Sequence, residues 1–420
     1  MSKRALSSLP FLPSLSLGLL TALLVLLWVA GGASRADVIG QVVTRAGVWA
    51  IAIAFILFAA PPRMRPVAPV GIFVLAGVLL VALQLIPLPP SLWVQLPGRE
   101  LLAQAATVSG QEQPWRPISI SPGATANALW SLVVPVVTLL LMAGLSQVEH
   151  WRVAGLLLGF VVASCLIGLL QFSGMRFDHP MLNDTPGAVS ASFANRNHFG
   201  LFAAIGCLLA PVWAFQEGGR GRWKTIVAPA LVLLFGLVIL ATGSRMGLLV
   251  GALGVGLGLL IVRRRIVSEL KRLPKWLSIA LVVGTVAVVA AAIILSVTLD
   301  RAISLNRALS LGAGEDLRRQ ALPTVLQMVR TYFPFGSGFG AFDPVYRISE
   351  PAELLSTVYF NHAHNDLLEI VLDGGLPGLL LLSAAIIWWL WKSFGALRIK
   401  DGSQRLLPRL GSGILLLVLV

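Results

Sequence analysis

Charged residues are scarce in this chain. Only 12% of its 420 residues are Asp, Glu, Lys or Arg, whereas 57% are hydrophobic and the mean hydropathy is +0.86. Soluble globular proteins carry about 25% charged residues, so the composition excludes a soluble domain and indicates a membrane protein. Cysteine is scarcer still. Cys165 and Cys207 lie in separate apolar runs, which excludes a disulfide framework and a cysteine-based metal site.

The apolar residues form runs that alternate with short polar segments. Crossing a bilayer takes a helix of about 20 residues, and we predict such spans at about Phe11–Ala30, Val38–Ala60, Val67–Leu88, Ala126–Leu145, Val153–Phe172, His198–Phe215, Thr225–Ala241, Met246–Val262, Leu277–Thr298 and Leu376–Trp391. A last run, Gly413–Val420, is too short to span, so that helix is either truncated or needs further residues. The sequence therefore predicts an all-α polytopic membrane protein of about 10–12 transmembrane helices. We divide it into an N-terminal region, residues 1–190, and a C-terminal region, residues 191–420.

Positive charge is concentrated on one side of the predicted spans. Nineteen of the 32 lysines and arginines fall in segments on the same side as the N-terminus. Cytoplasmic loops of membrane proteins are enriched in these residues, so the N-terminus is predicted inside and the long loop 299–365 outside. The net charge of +14 therefore indicates topology and not nucleic-acid binding. All six lysines fall inside, so the outer cations are arginines, which can grip two phosphate oxygens at once. An arginine-biased genome would explain the same pattern.

Two short polar clusters lie at the predicted outer surface. The first contains Asn195, Arg196, Asn197 and His198. It is either a helix cap with an interfacial anchor or one wall of a phosphate or sugar site. In the second case Arg196 and Asn197 would contact the substrate. The second is the hairpin Ala241–Gly247, whose shortness places Arg245 at the membrane lip. Arg245 could snorkel to lipid headgroups or bind a ligand, and the fixed position favours a ligand site.

Two longer segments complete the predicted outer surface. Pro89–Thr125 is mixed in character, and we interpret it as a structural segment that lies along the membrane surface. In the long loop, Glu315–Leu322 begins an amphipathic helix that carries Arg318 and Arg319. Its predicted apolar face consists of Leu322, Val325, Leu326 and Val329. The glycine run Phe335–Gly340 turns the chain, and it is no nucleotide-binding motif because no strand precedes it.

The long loop closes on two histidines, His362 and His364, followed by Asn365 and Asp366. A histidine pair without a third convergent ligand is a weak metal site, so we expect no metal. A histidine that acts as a general base needs a partner for its second ring nitrogen, and Asn365 or Asp366 could supply one.

Three carboxylates, Asp366, Glu369 and Asp373, recur at helical spacing after the histidines. We expect them on one face of a helix that breaks at Gly374–Gly375. Such a face would bias the neighbouring imidazoles towards their charged form.

Four motifs in order resemble the O-antigen ligase and O-antigen polymerase superfamily. They are Phe193–His198, Thr242–Gly247, Pro334–Gly340, and His362–Asp366 with Gly374–Gly378. The likeness covers about Ser192–Leu380. It implies a glycosyltransferase of a bacterial inner membrane that needs no metal or other cofactor. Such an enzyme moves a glycan from undecaprenyl diphosphate to an acceptor hydroxyl on lipid A-core or a growing polysaccharide, on the periplasmic side. It implies contact with membrane lipids and none with nucleic acid.

The resemblance also implies roles for individual residues. It places the catalytic arginines at Arg245 and Arg319 and the catalytic histidine at His364. Arg318 adjoins the loop arginine, which makes the choice between the two ambiguous. We expect Arg318, His362 and Asn365, like Arg196 and Asn197, to bind substrate.

Several functions stay open at this stage. A ligase, a polymerase and a protein O-oligosaccharyltransferase share the same chemistry at the donor. A polysaccharide transporter would instead place ionisable groups near the middle of the membrane, where Arg45 is the one clear example in an early span. A non-catalytic assembly partner is a further alternative.

Overall fold

The computed structural model describes residues 13–35, 37–175, 179–183, 187–216, 223–271, 274, 276, 283, 313–355, 360–400 and 405–420. Within these residues the regular structure is helical except for two short antiparallel strands, β1 (Pro87–Leu88) and β2 (Arg116–Pro117). Eight of the described helices are long and apolar enough to cross a membrane. The chain is thus an all-α polytopic membrane protein, as its composition predicts.

Most helices coincide with the predicted spans. Their bounds are α1 (Leu15–Ala30), α2 (Ile39–Phe58), α3 (Ala68–Leu83), α4 (Pro90–Trp93), α5 (Glu100–Val108), α6 (Pro122–Ser131), α7 (Val133–Ala143), α8 (Gln147–Phe172), α9 (Arg196–Ala214), α10 (Trp223–Thr242), α11 (Arg245–Leu270), α12 (Ala313–Tyr332), α13 (Phe342–Ser349), α14 (Asp366–Arg398) and α15 (Leu406–Leu419). Short 3-10 turns occupy Arg65–Val67 and Ala352–Leu354.

Three boundaries differ from expectation or cannot be compared. The predicted span Leu277–Thr298 lies outside the described residues, apart from position 283. The predicted carboxylate-bearing helix from Asp366 and its break are confirmed, since the backbone is non-helical at Gly375, but α14 continues across this kink and the span near Leu376 is not a separate helix. The last helix begins at Leu406, well before the predicted Gly413, because Leu406 and Leu410 are buried and extend its packed face.

The chain divides into two compact units. Unit 1 consists of Met1–Pro61, Gly144–Ser310 and Trp389–Val420, and unit 2 consists of Pro62–Ala143 and Leu311–Trp388. Both are discontinuous in sequence. The predicted division at residue 190 stays a prediction.

α9 forms the centre of unit 1. Phe199 and Ala203 lie on one side of this helix and Leu208 on the opposite side, and all three are fully buried. The helix packs against α8, α10, α11 and α15. A helix that is apolar all round must be surrounded by other helices, and α9 meets that condition.

Small residues let α11 pack closely against α9. A β-carbon built on Gly200 would lie 3.2 Å from the Cα atom of Gly247. Further along, a β-carbon on Gly254 would lie 2.5 Å from the carbonyl oxygen of Ala204. Small residues at a helix interface allow such close backbone approach. Residue numbers rise together in the two pairs, so α9 and α11 run parallel and begin at the same end.

The predicted amphipathic helix of the long loop is present as α12, but its buried face is rotated from the prediction. Val325 is buried, as expected, whereas Leu322 and Leu326 are exposed. The buried stripe consists of Ala321, Val325, Met328 and Tyr332, which pack with residues of α13 in the core of unit 2. Packing against α13 selects this stripe, and α13 is not visible in the periodicity of α12 alone.

The glycine run Phe335–Gly340 wraps around the kink of α14 in unit 2. The amide of Ser337 donates to the carbonyl oxygen of Leu372 at 2.8 Å. Gly375 has a φ of 59°, and a β-carbon there would lie 2.1 Å from the carbonyl oxygen of Pro334. Only glycine fits this left-handed and crowded position, so the two glycine motifs form one backbone contact.

We expect Gly254→Ala to destabilise the chain. Its β-carbon would overlap the Ala204 carbonyl, and overpacking of this kind costs about 1–3 kcal/mol. Gly256 is the matched control, because it lies on the same helix with no atom within 4 Å of its built β-carbon. Gly256→Ala should be neutral or stabilising by about 0.5–1 kcal/mol. Thermal unfolding of both variants in one detergent measures the difference, and equal shifts would contradict close packing at Gly254.

Candidate active site

The first polar cluster forms the N-terminus of α9. The side-chain oxygen of Asn195 accepts a hydrogen bond from the amide of Asn197 at 2.8 Å, so Asn195 is the N-cap that the sequence allowed for. Arg196 and Asn197 are the first two residues of the helix and are partly exposed, and His198 is exposed. The roles of Arg196 and Asn197 in substrate binding stay predictions.

The second cluster, the hairpin between α10 and α11, is held by its own hydroxyl groups. Thr242 Oγ1 donates to the carbonyl oxygen of Ile239 at 2.8 Å and accepts from the amide of Ser244 at 3.1 Å. Ser244 Oγ in turn accepts from the amide of Gly247 at 2.9 Å and caps α11. Thr242 and Ser244 are buried. Arg245, the first residue of α11, is therefore carried by a rigid turn, as the short hairpin predicts.

The two clusters meet within unit 1. Gly200 and Gly247 are in contact, and they lie about one turn after Arg196 and half a turn after Arg245, respectively. Two helix N-termini thus lie side by side, each beginning with an arginine. A helix N-terminus carries partial positive charge and exposed amide groups, so this end of unit 1 has the donors and the charge to bind an anion.

The long-loop arginine is carried by α12 in unit 2. Arg319 is exposed and lies two residues before Ala321, which is part of the buried core. The side chain of Arg318 lies outside the described residues. Another arginine of the long loop, Arg347, forms an ion pair, with its Nε 2.8 Å from Asp343 Oδ1.

The side chains of His362 and Glu369 are in hydrogen-bond contact. His362 Nδ1 lies 2.7 Å from Glu369 Oε1, and Glu369 Oε2 accepts from the amide of Ala363 at 2.8 Å. This bond and the nearby charges of Asp373 and Asp366 raise the pKa of His362 above its usual value, although burial opposes the shift. The expected bias of an imidazole towards its charged form is therefore present at His362.

His364 lies in a different environment from His362. It has a φ of 52° and is exposed, and its ring makes an edge contact with Phe360 at 5.7 Å between centroids. Phe360 and Ala363 pack on the core that contains Ala321 of α12. The left-handed backbone is uncommon for a residue with a side chain, and such conformations persist where the surroundings hold them.

Asn365 is at the start of α14. Its side-chain oxygen accepts from the amide of Leu368 at 3.1 Å. This oxygen caps the helix, and the suggestion that Asn365 or Asp366 orients a histidine ring stays a prediction. The cap fixes where α14 begins, directly after the histidine segment.

Sequence reasoning missed the polar side chain that braces this region, Gln84. Gln84 is buried at the end of the third predicted span. Its Nε2 donates to the carbonyl oxygen of Asp373 at 2.8 Å, and its Oε1 accepts from the amide of Phe339 at 3.0 Å. Asp373 is buried too, and its Oδ2 accepts from the amide of Gly340 at 2.9 Å. A lone glutamine at the end of an apolar run was the available signal.

Arg99 is the second missed residue, in the segment Pro89–Thr125. It is fully buried and donates to the carbonyl oxygens of Pro97 at 2.9 Å and Gly336 at 3.0 Å, and it faces the ring of Tyr332 at 5.3 Å. Burial lowers the pKa of its guanidinium group to about 10. The segment was expected to lie along the membrane surface. That expectation is wrong for Trp93, which is buried in unit 2, whereas Leu101, Val108 and Trp115 are exposed.

Comparison with known families gives one match, which covers part of the C-terminal region. Residues 230–383 match the model of the O-antigen ligase family. This part of the chain is similar to the O-antigen ligase family. The O-antigen ligase match includes Arg245, Arg319, the glycine run and His364, whereas Arg196 and Asn197 precede it. It supports a multi-pass membrane enzyme that transfers glycans. A comparison with curated proteins found no match.

The His362–Glu369 hydrogen bond should make the stability of the fold depend on pH. Because the pKa of His362 is raised in the folded chain, the pair stabilises the fold fully below about pH 6.5, the unperturbed value, and this contribution is lost as pH rises through the raised pKa. We expect Glu369→Gln to lower the pKa of His362 towards its ordinary value. NMR titration of histidine-labelled protein measures this pKa.

Asp366→Asn is the control for that titration. Asp366 acts on His362 through charge alone and is the smallest cause of its pKa shift, so its replacement should change the pKa less. A pKa unaffected by Glu369→Gln would contradict the bond.

Proposed function

We propose that this chain is an O-antigen ligase-type glycosyltransferase of a bacterial inner membrane. It takes a glycan from undecaprenyl diphosphate and transfers it to an acceptor hydroxyl, on lipid A-core or a growing polysaccharide, at the periplasmic side. The observation that carries the proposal is the pair of arginine-bearing helix N-termini at the start of α9 and α11. These lie in unit 1, and α11 falls within the matched family region.

The arginines act on the diphosphate of the donor. Arg245 donates charge-assisted hydrogen bonds to phosphate oxygens, and its planar fork can engage two of them. The adjoining N-terminus of α9, with Arg196 and Asn197, supplies further donors. Arg319, or its neighbour Arg318, adds positive charge from α12. Positive charge of this kind stabilises the negative charge that grows on the diphosphate as the sugar is transferred.

His364 is the general base. It accepts the proton of the acceptor hydroxyl while the acceptor oxygen forms a bond to the anomeric carbon. The bond between that carbon and the diphosphate oxygen breaks in the same displacement, and undecaprenyl diphosphate leaves. The arginines provide the charge that a divalent metal supplies in other enzymes, so the reaction is proposed to need no metal.

His362 has a different role from His364, because a raised pKa favours its protonated form. An imidazolium has no lone pair to accept a proton, but both of its ring nitrogens can donate. Glu369 occupies Nδ1. We assign His362, with Arg318, to binding the substrate.

The acceptor distinguishes this proposal from its closest alternatives. A polymerase or a protein O-oligosaccharyltransferase would use the same donor chemistry with a different hydroxyl. The ligase-type acceptor is favoured because the matched family model is that of the ligases. A transporter is disfavoured because Arg196 and Arg245 begin their helices and do not lie within the spans.

Arg245→Lys tests whether this arginine binds diphosphate or only anchors the hairpin. Lysine keeps the charge and the ability to snorkel but loses the two-pronged phosphate contact. We expect the variant to insert and fold normally and to lose most transfer from undecaprenyl-diphosphate-linked glycan in a purified assay.

Arg35→Lys is the matched control for Arg245→Lys. Arg35 is exposed in the loop between α1 and α2, where it pairs with Asp37, so the same exchange should leave transfer unchanged. Normal transfer by Arg245→Lys would remove Arg245 from the site.

A further inference from the structure

A second group of cations lies at the other end of α11 from Arg245. Here the C-terminal parts of α11 and α14 and the start of α15 surround a cavity of about 800 Å³. All of its walls belong to unit 1. Six of the ten lining residues are cationic and none is a carboxylate; the six are Arg263, Arg264, Arg398, Lys400, Arg405 and Arg409.

Arg409 fixes the shape of this cavity. Its guanidinium group donates to the carbonyl oxygens of Ala396 at 3.1 Å, Leu397 at 2.8 Å and Ile399 at 3.2 Å. These bonds satisfy carbonyl groups at the C-terminal end of α14 and hold α15 against that end. These three acceptors are neutral carbonyl groups and do not cancel the positive charge of Arg409. The walls of the cavity therefore stay strongly cationic.

Like charges held this close repel one another, and an anion between them would remove the repulsion. Arg405 provides a second indication that a polar ligand is missing. Its Nε atom is buried and has no hydrogen-bond partner among the described residues. Buried donors are usually satisfied, so the cavity has both unbalanced charge and an unused donor.

The remaining walls are apolar. Leu260 and Ile261 of α11 and Leu397 of α14 line the same cavity, and both helices are membrane spans by length and composition. The cavity therefore joins a cationic surface to apolar side chains at the end of two spans. A free phosphate would use only the cations, whereas a phospholipid has a phosphate for the cations and acyl chains for the apolar walls.

We propose that this cavity binds the phosphate headgroup of an anionic phospholipid. The loop charges predict that this end of α11 is cytoplasmic, and the cytoplasmic leaflet is the one whose anionic lipids attract basic residues near membrane helices. The bound lipid would neutralise the cations of α11, α14 and α15 and hold the three helix ends together. This site is separate from the diphosphate-binding end of unit 1 and does not depend on the proposed reaction.

Lipid binding to the purified full-length chain tests the proposal. Native mass spectrometry with short-chain phosphatidylglycerol should give one saturable site, and phosphatidylcholine of the same chain length should bind far more weakly. Arg264→Gln combined with Lys400→Gln removes one exposed cation from α11 and one from the segment that follows α14. Because each basic residue contributes about 1 kcal/mol to such binding, affinity should fall about five-fold per cation.

Arg63→Gln combined with Arg65→Gln is the control, since it removes two exposed cations from another predicted cytoplasmic loop. It should leave the saturable site intact. Equal loss of binding in the two double variants would overturn the proposal in favour of non-specific attraction. Displacement of the lipid by equimolar pyrophosphate would overturn it in favour of a soluble phosphate compound. Size-exclusion profiles identical to the parent exclude misfolding, which the exposure of all four side chains makes improbable.

Discussion

Close backbone contact between α9 and α11 is the constraint on which the candidate site in unit 1 depends. The backbones approach closely at two places, where Gly200 faces Gly247 and where Gly254 faces Ala204. Neither place has room for a larger side chain. Membrane helices gain little from burying apolar groups, because lipid is equally apolar, so packing of this kind supplies much of their attraction. The contact places two helix N-termini side by side, each beginning with an arginine. The anion-binding character of this end thus follows from the glycines that allow the contact.

In unit 2 the corresponding constraint is the contact between two glycine motifs. The kink at Gly375 contacts the backbone of Pro334. Gln84 and Asp373 form hydrogen bonds that hold the glycine run Phe335–Gly340 against this kink. This arrangement fixes the helix that carries Glu369, and Glu369 in turn holds His362. The same contact raises the pKa of His362. The proposed role of His362 in binding substrate depends on this contact with Glu369.

Much of the fold could be predicted from the sequence, because apolar runs of spanning length leave few alternatives in a membrane. The hairpin of Arg245 and the break at Gly375 were also predictable, since short polar turns and paired glycines have local causes. The partners of the buried polar groups could not be predicted from the sequence. Gln84 bonds to Asp373, far away in sequence, and the buried stripe of α12 is chosen by α13. Glu369 was placed on the correct helix face, but the face alone could not select His362 over His364.

The central claim is that His364 removes the acceptor proton during transfer from a lipid-linked diphosphate. The most direct measurement is the amount of undecaprenyl-diphosphate-linked glycan in strains whose only copy carries His364→Ala or His362→Ala. Loss of a general base costs about 10²–10⁴-fold in rate. The account predicts normal expression of both variants, accumulation of carrier-linked glycan with bare acceptor for His364→Ala, and a much smaller effect for His362→Ala. Parental levels of carrier-linked glycan and of glycosylated acceptor in the His364→Ala strain would contradict it.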